Sequence, residues 1–241
     1  MPPLMDKWQH YFPLYERHLA PYRGRPVVMV EIGVYHGGSL AYFRDFLGPE
    51  ARIVGVDINP RCAALAGDGI EIRIGSQEDR GFLRALAASL PPIDILLDDG
   101  GHTMRQQRVT FQELFPHVAP QGVYLCEDLH TAYWPEFGGG YRRRGSFAEL
   151  AKGWVDDLHG WHGRGGAPSV TDFTRTVRGV HFYDSMVVVE KAPMTAPVRQ
   201  ITGTPVFPPD VPPVHPWPRR VAGRGRLALN RMLARLRLPA V

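Results

Sequence analysis

The chain has 241 residues, of which 44% are hydrophobic and 22% are charged, a length and balance that suit one large folded domain with appendages. Disordered and disulfide-scaffold classes are excluded, because the apolar content is high and there are only two cysteines. The net charge of +4 is unevenly divided: residues 191–241 hold nine basic and one acidic side chain, whereas residues 1–190 hold 19 basic and 23 acidic ones. An acidic body with a basic tail predicts no nucleic-acid partner.

The two cysteines, Cys62 and Cys126, lie in apolar stretches and are expected to be buried free thiols. The N-terminal residues show no basic region followed by an apolar run, and no stretch of 18 uncharged apolar residues occurs in the sequence. We therefore expect a soluble, cytoplasmic protein.

Apolar runs of strand length alternate with longer helical patterns in the first half of the chain. Strands are predicted at 27–33, 52–57, 70–75, 93–99 and 122–128. Helices are predicted near 38–47, 60–66, 78–90 and 103–115. This alternation is typical of an α/β fold with right-handed crossovers and a parallel sheet, covered by helices on both faces.

The second half of the chain breaks this rhythm. A Gly- and Arg-rich loop at 131–146 precedes a helical stretch to about His159, and 179–191 reads as an antiparallel hairpin around a tight turn at 183–185. The hairpin is expected to close one edge of the sheet. The main domain is accordingly assigned to residues 1–191.

Two appendages follow this domain. Residues 192–218 are rich in proline and predict an extended arm, and residues 219–241 predict a basic amphipathic helix. The apolar positions of that helix are Leu229, Met232, Leu233 and Leu236, and its off-stripe basic residues are Arg231, Arg235 and Arg237. Such a helix suits peripheral membrane contact or a partner, or alternatively docking on its own domain or a sister subunit.

The loop after the first strand is rich in glycine and starts the next helix, so its amide groups are expected to face a ligand at the carboxyl edge of the sheet. Its candidate binding residues are Glu31, Gly33, Tyr35, Gly37 and Ser39. Tyr35 stands where a dinucleotide-binding loop needs its second glycine, which disfavours a nicotinamide oxidoreductase. Asp57, at the end of the second strand, can accept both hydroxyls of a ribose, so a nucleoside-containing ligand is predicted.

The third strand ends in Gly75-Ser76-Gln77-Glu78-Asp79. Ser76 and Gln77 could contact an adenine edge. Alternatively, Ser76 could cap the next helix, with Asp79 placed as in a capping box. The sequence does not decide between these two interpretations.

Carboxylates cluster where the fourth and fifth strands end, as Asp98-Asp99 and Glu127-Asp128. Oxygen ligands of this kind suit a hard divalent cation such as Mg2+. Because side chains alternate along a strand, Asp98 and Asp99 should point in different directions. Alternatively, Asp99 caps the helix that starts near Thr103. His102 lies three residues after Asp99 and could take a proton from a hydroxyl near the metal.

Further candidates for substrate contact lie around the loop at 131–146. His130 is one, and the others are Tyr133, Trp134, Phe137 and Tyr141, whose rings suit a sugar face but could equally pack on the body. Gly138, Gly139 and Gly140 could hinge a lid. The predicted N-terminal helix, Asp6 to Leu19, presents aromatic residues that could line an acceptor site or a subunit interface.

The motifs EIGVYHGGS, VGVDINP, DDGGH and EDLHTAYW, in this order, resemble class I S-adenosylmethionine-dependent methyltransferases. Among these, they are most similar to the metal-dependent sugar O-methyltransferases of actinobacteria, which act on macrolide sugars, rhamnosides and methylmannosides. The resemblance covers about residues 7–191. It implies a Rossmann-like fold with a seven-stranded, mostly parallel sheet and the antiparallel closing hairpin.

The resemblance also implies roles for individual residues. Asp99, Glu127 and Asp128 would bind Mg2+, and His102 would be the general base. The residues that would contact S-adenosylmethionine are Glu31, Gly33, Asp57, Gln77 and Asp98. The implied acceptor is a glycoside, and the implied assembly is a homo-oligomer, a dimer or larger.

The sequence departs from these relatives in two respects. The macrolide enzymes carry an additional N-terminal domain, so their substrates and assembly contacts do not transfer to this chain. Gly101 stands where relatives often have serine, a change that should not disturb the chemistry.

Three alternative functions stay open at this point. A catechol-type O-methyltransferase would share the cofactor loop and the metal, but typically uses Asp, Asp and Asn ligands with a lysine base. The iron-dependent cephalosporin hydroxylases also resemble this group, with His102 then a ligand. A binding role without catalysis would make the basic tail the working part.

Overall fold

The computed structural model describes residues 3–164 and 167–207 and, in the tail, 225–226, 228–230 and 232–233. The strands are β1 (Val28–Ile32), β2 (Arg52–Asp57), β3 (Ile70–Ile74), β4 (Ile93–Asp98), β5 (Val118–Cys126), β6 (Val177–Tyr183) and β7 (Met186–Lys191). The α-helices between residues 3 and 207 are α1 (Phe12–Leu19), α2 (Gly38–Leu47), α3 (Arg80–Ala88), α4 (Met104–Leu114), α5 (Phe147–Leu158) and α6 (Asp172–Thr176).

The seven strands form one sheet in the order β3-β2-β1-β4-β5-β7-β6. The first five are parallel, whereas β7 runs antiparallel to both β5 and β6. The predicted α/β fold and its closing hairpin are therefore confirmed. The hairpin begins at Val177, two residues earlier than the sequence predicts, and turns between Tyr183 and Met186, which pair across it.

Side chains that alternate along the strands build one hydrophobic core on each face of the sheet. On one face, Leu83 of α3, Val109 of α4 and Trp154 of α5 pack over the strands. On the other face, Tyr15 of α1 and Phe43 of α2 cover them. Helices on both faces explain why the central strands are almost continuously apolar.

Three predicted elements differ in the structure. The helix predicted from Asp6 to Leu19 is a 3-10 helix, Gln9–Tyr11, followed by α1. The helix predicted at 60–66 is a 3-10 helix, Pro60–Leu65, since a run this short between two strands does not sustain an α-helix. Strand β5 begins at Val118 rather than 122, because Val118 pairs with Ile93 before a shift in register. Pro120 sits in that irregular section, where the loss of an N–H donor is tolerated.

The two cysteines are buried and free, as predicted. Residues 193–207 are exposed and form neither helix nor strand, and residues 208–218 of the predicted arm lie outside the described residues. Most of the predicted helix at 219–241 also lies outside them, although the few tail residues described are helical. No helix in the described part of the chain combines the length and the apolar character needed to cross a bilayer.

Candidate active site

Two adjoining cavities open at the carboxyl edge of the parallel strands. The first, which we call the glycine-loop cavity, has a volume of about 320 Å³. The predicted binding residues in its lining are Gly33, Tyr35, Ser39, Asp57, Ser76 and Gln77. Glu31, Gly37 and Asp98 do not line it. Residues from β1, β2 and β3 thus converge on one cavity, at the edge where α/β sheets bind ligands.

The glycine loop must approach the neighbouring β4 loop closely. Gly33 has a φ of +95°, and any side chain there would collide with the main chain of Asp99. The loop then enters α2 through Gly37, with a φ of +81°, and the amide of Gly38 donates to the carbonyl of Leu4 at 3.2 Å. Gly33 is therefore required by both backbone conformation and space.

Asp57 fixes the shape of this loop. One carboxylate oxygen accepts from the amides of Val34 at 2.9 Å and Tyr35 at 3.2 Å, and the other accepts from the amide of Asn59 at 2.8 Å. The carboxylate is thereby held at one orientation in the cavity lining. Three of its roughly four acceptor sites are used by these amides, which leaves one for a ligand hydroxyl.

Asp79, rather than Ser76, caps α3: its carboxylate accepts from the amide of Phe82 at 3.1 Å. The alternative in which Ser76 caps that helix is wrong, because the serine hydroxyl accepts from the amide of Glu78 and stays in the cavity lining. Gln77 donates to Asp98 at 2.6 Å. Asp98 is thus a buried support for Gln77.

The second cavity, which we call the carboxylate cavity, has a volume of about 430 Å³. The predicted site residues that line it are Asp99, His102, Glu127, Asp128 and His130. Asp99 also lines the glycine-loop cavity, as do Lys7 and Tyr35. The two cavities therefore adjoin at Asp99, which faces away from Asp98 as strand alternation predicts.

Lys7 is the residue of this site that sequence reasoning missed. Its ammonium lies 2.6 Å from Asp99, 2.8 Å from Glu127 and 3.7 Å from Glu31. Burial acts to lower the pKa of Lys7, but the three carboxylates outweigh it and hold the pKa well above its ordinary value. Lys7 is thus a charged ammonium. The motif Asp6-Lys7-Trp8 carries no local signal, because the two nearest partners of Lys7, Asp99 and Glu127, lie 92 and 120 residues away in sequence.

Two tyrosines from the N-terminal region complete the support of the carboxylates. The hydroxyl of Tyr11 donates to Asp128 at 2.8 Å, and the hydroxyl of Tyr15 on α1 donates to Glu127. Both side chains are buried. Tyr11 and Tyr15 thus pack inside the fold and hold two of the predicted metal ligands. Trp8, from the same predicted aromatic face, is exposed and lines the carboxylate cavity, as does Tyr11, so the assignment of this face to an acceptor site stays a prediction.

His102 lies beside the carboxylates, with Nε2 3.3 Å from Asp128 and 3.9 Å from Asp99. Its Nδ1 is buried and has no hydrogen-bond partner among the described residues. Burial lowers the pKa of His102, against the opposing effect of Asp128, and so favours the neutral imidazole. Thr131 donates to the carbonyl of His102 at 3.0 Å and fixes its loop.

Backbone strain is concentrated in this cavity. Tyr35, His102 and Asp128 all line it, and each has a φ between +51° and +58°, a left-handed conformation that is unfavourable for a side chain by about 1 kcal/mol or more. Strain at Tyr35, His102 and Asp128 points to a functional requirement.

The alternative in which Asp99 caps α4 is wrong, because Thr103 and Gln106 form a capping box there.

The carboxylates fit a divalent cation. Ligand atoms of Asp99, His102 and Asp128 lie within 4.8 Å of one another. The third predicted ligand, Glu127, is not part of this group, and its two oxygens accept from Lys7 and Tyr15. Burial raises the pKa of Asp99 and of Glu127 to about 7, although Lys7 opposes the shift at both. Neither oxygen of the buried Glu31 has a hydrogen-bond partner in the described structure. One ammonium does not neutralise this group of acids, and its oxygen donors are those that Mg2+ prefers.

The predicted sugar-binding loop lies next to the carboxylate cavity without lining it. Tyr133, Trp134 and Tyr141 are 45%, 44% and 77% exposed. His130 does line the cavity, contacts the hydroxyl of Ser185 and meets the edge of the Trp134 ring at 4.7 Å between centroids. Contact of the three aromatic residues with a substrate stays a prediction.

Comparison with known proteins agrees with this geometry. Residues 30–129 match a family model described as a methyltransferase domain. Over 200 residues, the chain is 40% identical to 8-demethyl-8-(2-methoxy-alpha-L-rhamnosyl)-tetracenomycin-C 3'-O-methyltransferase of Streptomyces olivaceus, a match that covers 77% of this chain and 51% of the relative. It is 38% identical over 205 residues to demethylmacrocin O-methyltransferase of Streptomyces fradiae, covering 78% and 51% of the two chains.

A solved structure shows the same fold. MycE, a methyltransferase from the mycinamycin biosynthetic pathway in complex with Mg, SAH and mycinamycin VI, superposes with a TM-score of 0.72 at 34% identity. The match covers 78% of this chain and 50% of that one. The chain therefore spans about half the length of the relatives it matches. With its seven-stranded sheet and matched domain, the chain has the class I methyltransferase fold and resembles the sugar O-methyltransferases of actinobacteria.

Proposed function

We propose that the protein is a Mg2+-dependent O-methyltransferase that moves a methyl group from S-adenosylmethionine to a sugar hydroxyl of a glycoside. The observation that carries this proposal is that the two cavities share Asp99, while His102 lines only the carboxylate cavity. A nucleoside site and a cluster of oxygen donors with a base would then lie next to each other. Two relatives whose names give rhamnosyl tetracenomycin compounds as substrates support the same proposal.

S-adenosylmethionine, when bound, supplies a methyl group that is already activated, so the residues around it need only bind and orient it. Asp57, fixed by three backbone amides, would hold the ribose. Gln77, held by Asp98, would face the adenine, and Gly33 would let the main chain approach the ligand. Glu31 and Gly37 do not line the cavity and would only support the residues that do.

Mg2+, when bound, supplies Lewis acidity that lowers the pKa of nearby sugar hydroxyls. The residues that would hold it are Asp99, Glu127 and Asp128. Tyr11 and Tyr15 orient two of these carboxylates through hydrogen bonds. Lys7 adds a fixed positive charge and holds Asp99 and Glu127 together. Positioned donors of this kind reduce the reorganisation that the reaction requires.

His102 would act as the general base that removes the proton of the receiving hydroxyl. Its Nε2 faces the carboxylate cavity beside Asp128, and burial favours its neutral form. Lys7 is unsuited to this role, because its three carboxylate partners raise its pKa well above the ordinary value. The base of a catechol-type enzyme, a lysine, therefore has no counterpart in Lys7, which disfavours that alternative.

The sugar acceptor would enter the carboxylate cavity past His130 and the exposed rings of Tyr133, Trp134 and Tyr141. Aromatic faces suit the apolar side of a sugar ring. Association into a homo-oligomer, membrane contact of the basic tail and a cytoplasmic location stay predictions.

Calorimetry with S-adenosylhomocysteine, with and without Mg2+, tests the cofactor assignment. We expect binding in both cases, and an absence of heat in both would reject the methyltransferase proposal.

Methyl transfer from labelled donor to a panel of rhamnosides, mannosides and glycosylated polyketides tests the acceptor. Methylation that survives exhaustive chelation would reject the metal assignment, and methylation of catechols in place of the panel would favour the alternative.

A further inference from the structure

A second group of metal-ligating side chains lies outside both cavities, where α1 packs against the β6–β7 hairpin. We call it the hairpin cluster, and it consists of His18, His181 and Glu190. Nδ1 of His18 lies 3.1 Å from Oε1 of Glu190, and Nε2 of His181 lies 3.6 Å from the same oxygen. The three ligand atoms lie within 4.8 Å of one another. The cluster shares no residue with the proposed methyl-transfer site.

One side chain of this cluster, His18, is buried, whereas those of His181 and Glu190 are partly exposed. The side chain of His18 is 2% exposed, and an imidazole binds a metal ion through a nitrogen lone pair. Nε2 of His181 is buried without a hydrogen-bond partner among the described residues. A buried nitrogen lone pair that faces a carboxylate is unfavourable unless a cation or a proton lies between them.

The surroundings of the cluster match those of a metal centre. Nε2 of His18 lies 2.9 Å from the hydroxyl of Tyr183, which can accept its N–H and so leave the Nδ1 lone pair free for a ligand bond. Arg178 donates to Oε2 of Glu190 at 3.0 Å and leaves Oε1 facing the two histidines.

We propose that the hairpin cluster binds a transition-metal ion such as Zn2+ through Nδ1 of His18, Nε2 of His181 and Oε1 of Glu190. Two imidazoles and one carboxylate are an established zinc ligand set, with water completing the tetrahedron, and nitrogen donors favour Zn2+ over Mg2+. The ligand atoms need only small movements, because bonds of about 2.0 to 2.2 Å to one ion place them roughly 3.3 Å apart.

The ion would join α1 to the closing hairpin. His18 lies one turn after Tyr15 on α1, and Tyr15 holds Glu127 in the carboxylate cavity. His181 and Glu190 belong to β6 and β7. A metal bond between these elements would stabilise the packing that positions the tyrosine. The ion therefore has a structural role and takes no part in methyl transfer.

Titration of the chelator-stripped full chain with Co2+, in excess Mg2+ to fill the carboxylate cavity, tests this proposal. We expect one equivalent of Co2+ with the visible absorption of a nitrogen-ligated ion, displaced by Zn2+. His181→Ala and Glu190→Gln each change a partly exposed side chain and should weaken Co2+ binding at least tenfold, since each removes one ligand.

His117→Ala, at an exposed histidine outside both clusters, and His102→Ala, at the carboxylate cavity, should both leave the Co2+ affinity unchanged. Thermal melting provides a second measurement: Zn2+ should raise the Tm of the wild type and of His117→Ala but not that of His181→Ala. An absence of Co2+ binding in the wild type, an unchanged affinity in His181→Ala, or its loss in His102→Ala would each overturn the proposal.

Discussion

The glycine-loop cavity and the carboxylate cavity share Asp99 but are built in different ways. In the first, backbone amides hold a carboxylate: Asp57 accepts from the amides of Val34, Tyr35 and Asn59. In the second, side chains reach each other across the whole chain: Lys7 and Asp99 are 92 positions apart, and Tyr15 and Glu127 are 112 apart.

This difference has an energetic consequence. A carboxylate bound by backbone amides keeps its charge without a counter-ion. The carboxylate cavity instead gathers Glu31, Asp99 and Glu127 around one ammonium, in surroundings where an unpaired charge is highly unfavourable. The first cavity should therefore be stable without ligand, whereas the second should depend on its cations.

Removing the ammonium should give the largest effect. Lys7→Met leaves three buried carboxylates without their counter-charge, and we expect the free energy of unfolding to fall by about 3 to 5 kcal/mol in Mg2+-free buffer. Denaturant unfolding measures this loss. Added Mg2+ should recover part of it, because the ion brings positive charge to the same oxygens.

Lys152→Met is the matched control for this experiment. Lys152 is also paired with a glutamate, Glu149, but its side chain is 49% exposed. Screening by water makes such a pair worth no more than about 1 kcal/mol. Equal losses in the two variants would show that the ion pairs of Lys7 contribute no more to stability than a surface pair, and that the carboxylate cavity does not depend on its cations.

His102→Ala separates the chemistry of one cavity from the binding in the other. We expect kcat for methyl transfer to fall by about a hundredfold or more, because the receiving hydroxyl loses its base. The Kd for S-adenosylhomocysteine should hardly change, since His102 does not line the glycine-loop cavity. His130→Ala, in the same cavity, should raise KM for the acceptor more than it lowers kcat. Equal losses of kcat in both variants would remove the special role of His102.

The same contrast explains what the sequence could predict. The strands, the closing hairpin, Gly33, Asp57 and Asp99 follow from patterns that are local, because periodicity and turn chemistry act over a few residues. The roles of Lys7 and Tyr15 could not be predicted, because an isolated lysine and an aromatic helix face are each compatible with many ordinary structural roles. Their roles depend on the docking of α1 onto the sheet, which local patterns do not encode.

Asp57→Asn tests the glycine-loop cavity by itself. The change removes the charge that would hold the ribose, and charge-assisted hydrogen bonds are worth about 1.5 to 3 kcal/mol, so S-adenosylhomocysteine should bind roughly tenfold to a hundredfold more weakly. Calorimetry measures this affinity. Asp68→Asn, at an exposed aspartate, should have no effect. A parallel loss of Mn2+ affinity at the carboxylate cavity would contradict the separation of the two cavities.

Tyr15→Phe should give the smallest effect and tests whether α1 tunes the carboxylates. The variant keeps the buried ring but removes the hydrogen bond that helps to lower the pKa of Glu127, at a loss of about 1.5 kcal/mol in the free energy of unfolding. With that pKa raised further, protons compete better for the carboxylate, so Mn2+ affinity should fall more at pH 6 than at pH 8. Tyr42→Phe is the control, because Tyr42 lies beside the Tyr15 ring and its hydroxyl makes no side-chain hydrogen bond within residues 3–207. This variant should leave the Mn2+ affinity unchanged. A loss of Mn2+ affinity that does not depend on pH in Tyr15→Phe would mean that the tyrosine only packs against α2. Lys7 would then control the ionisation of the carboxylates without help from α1.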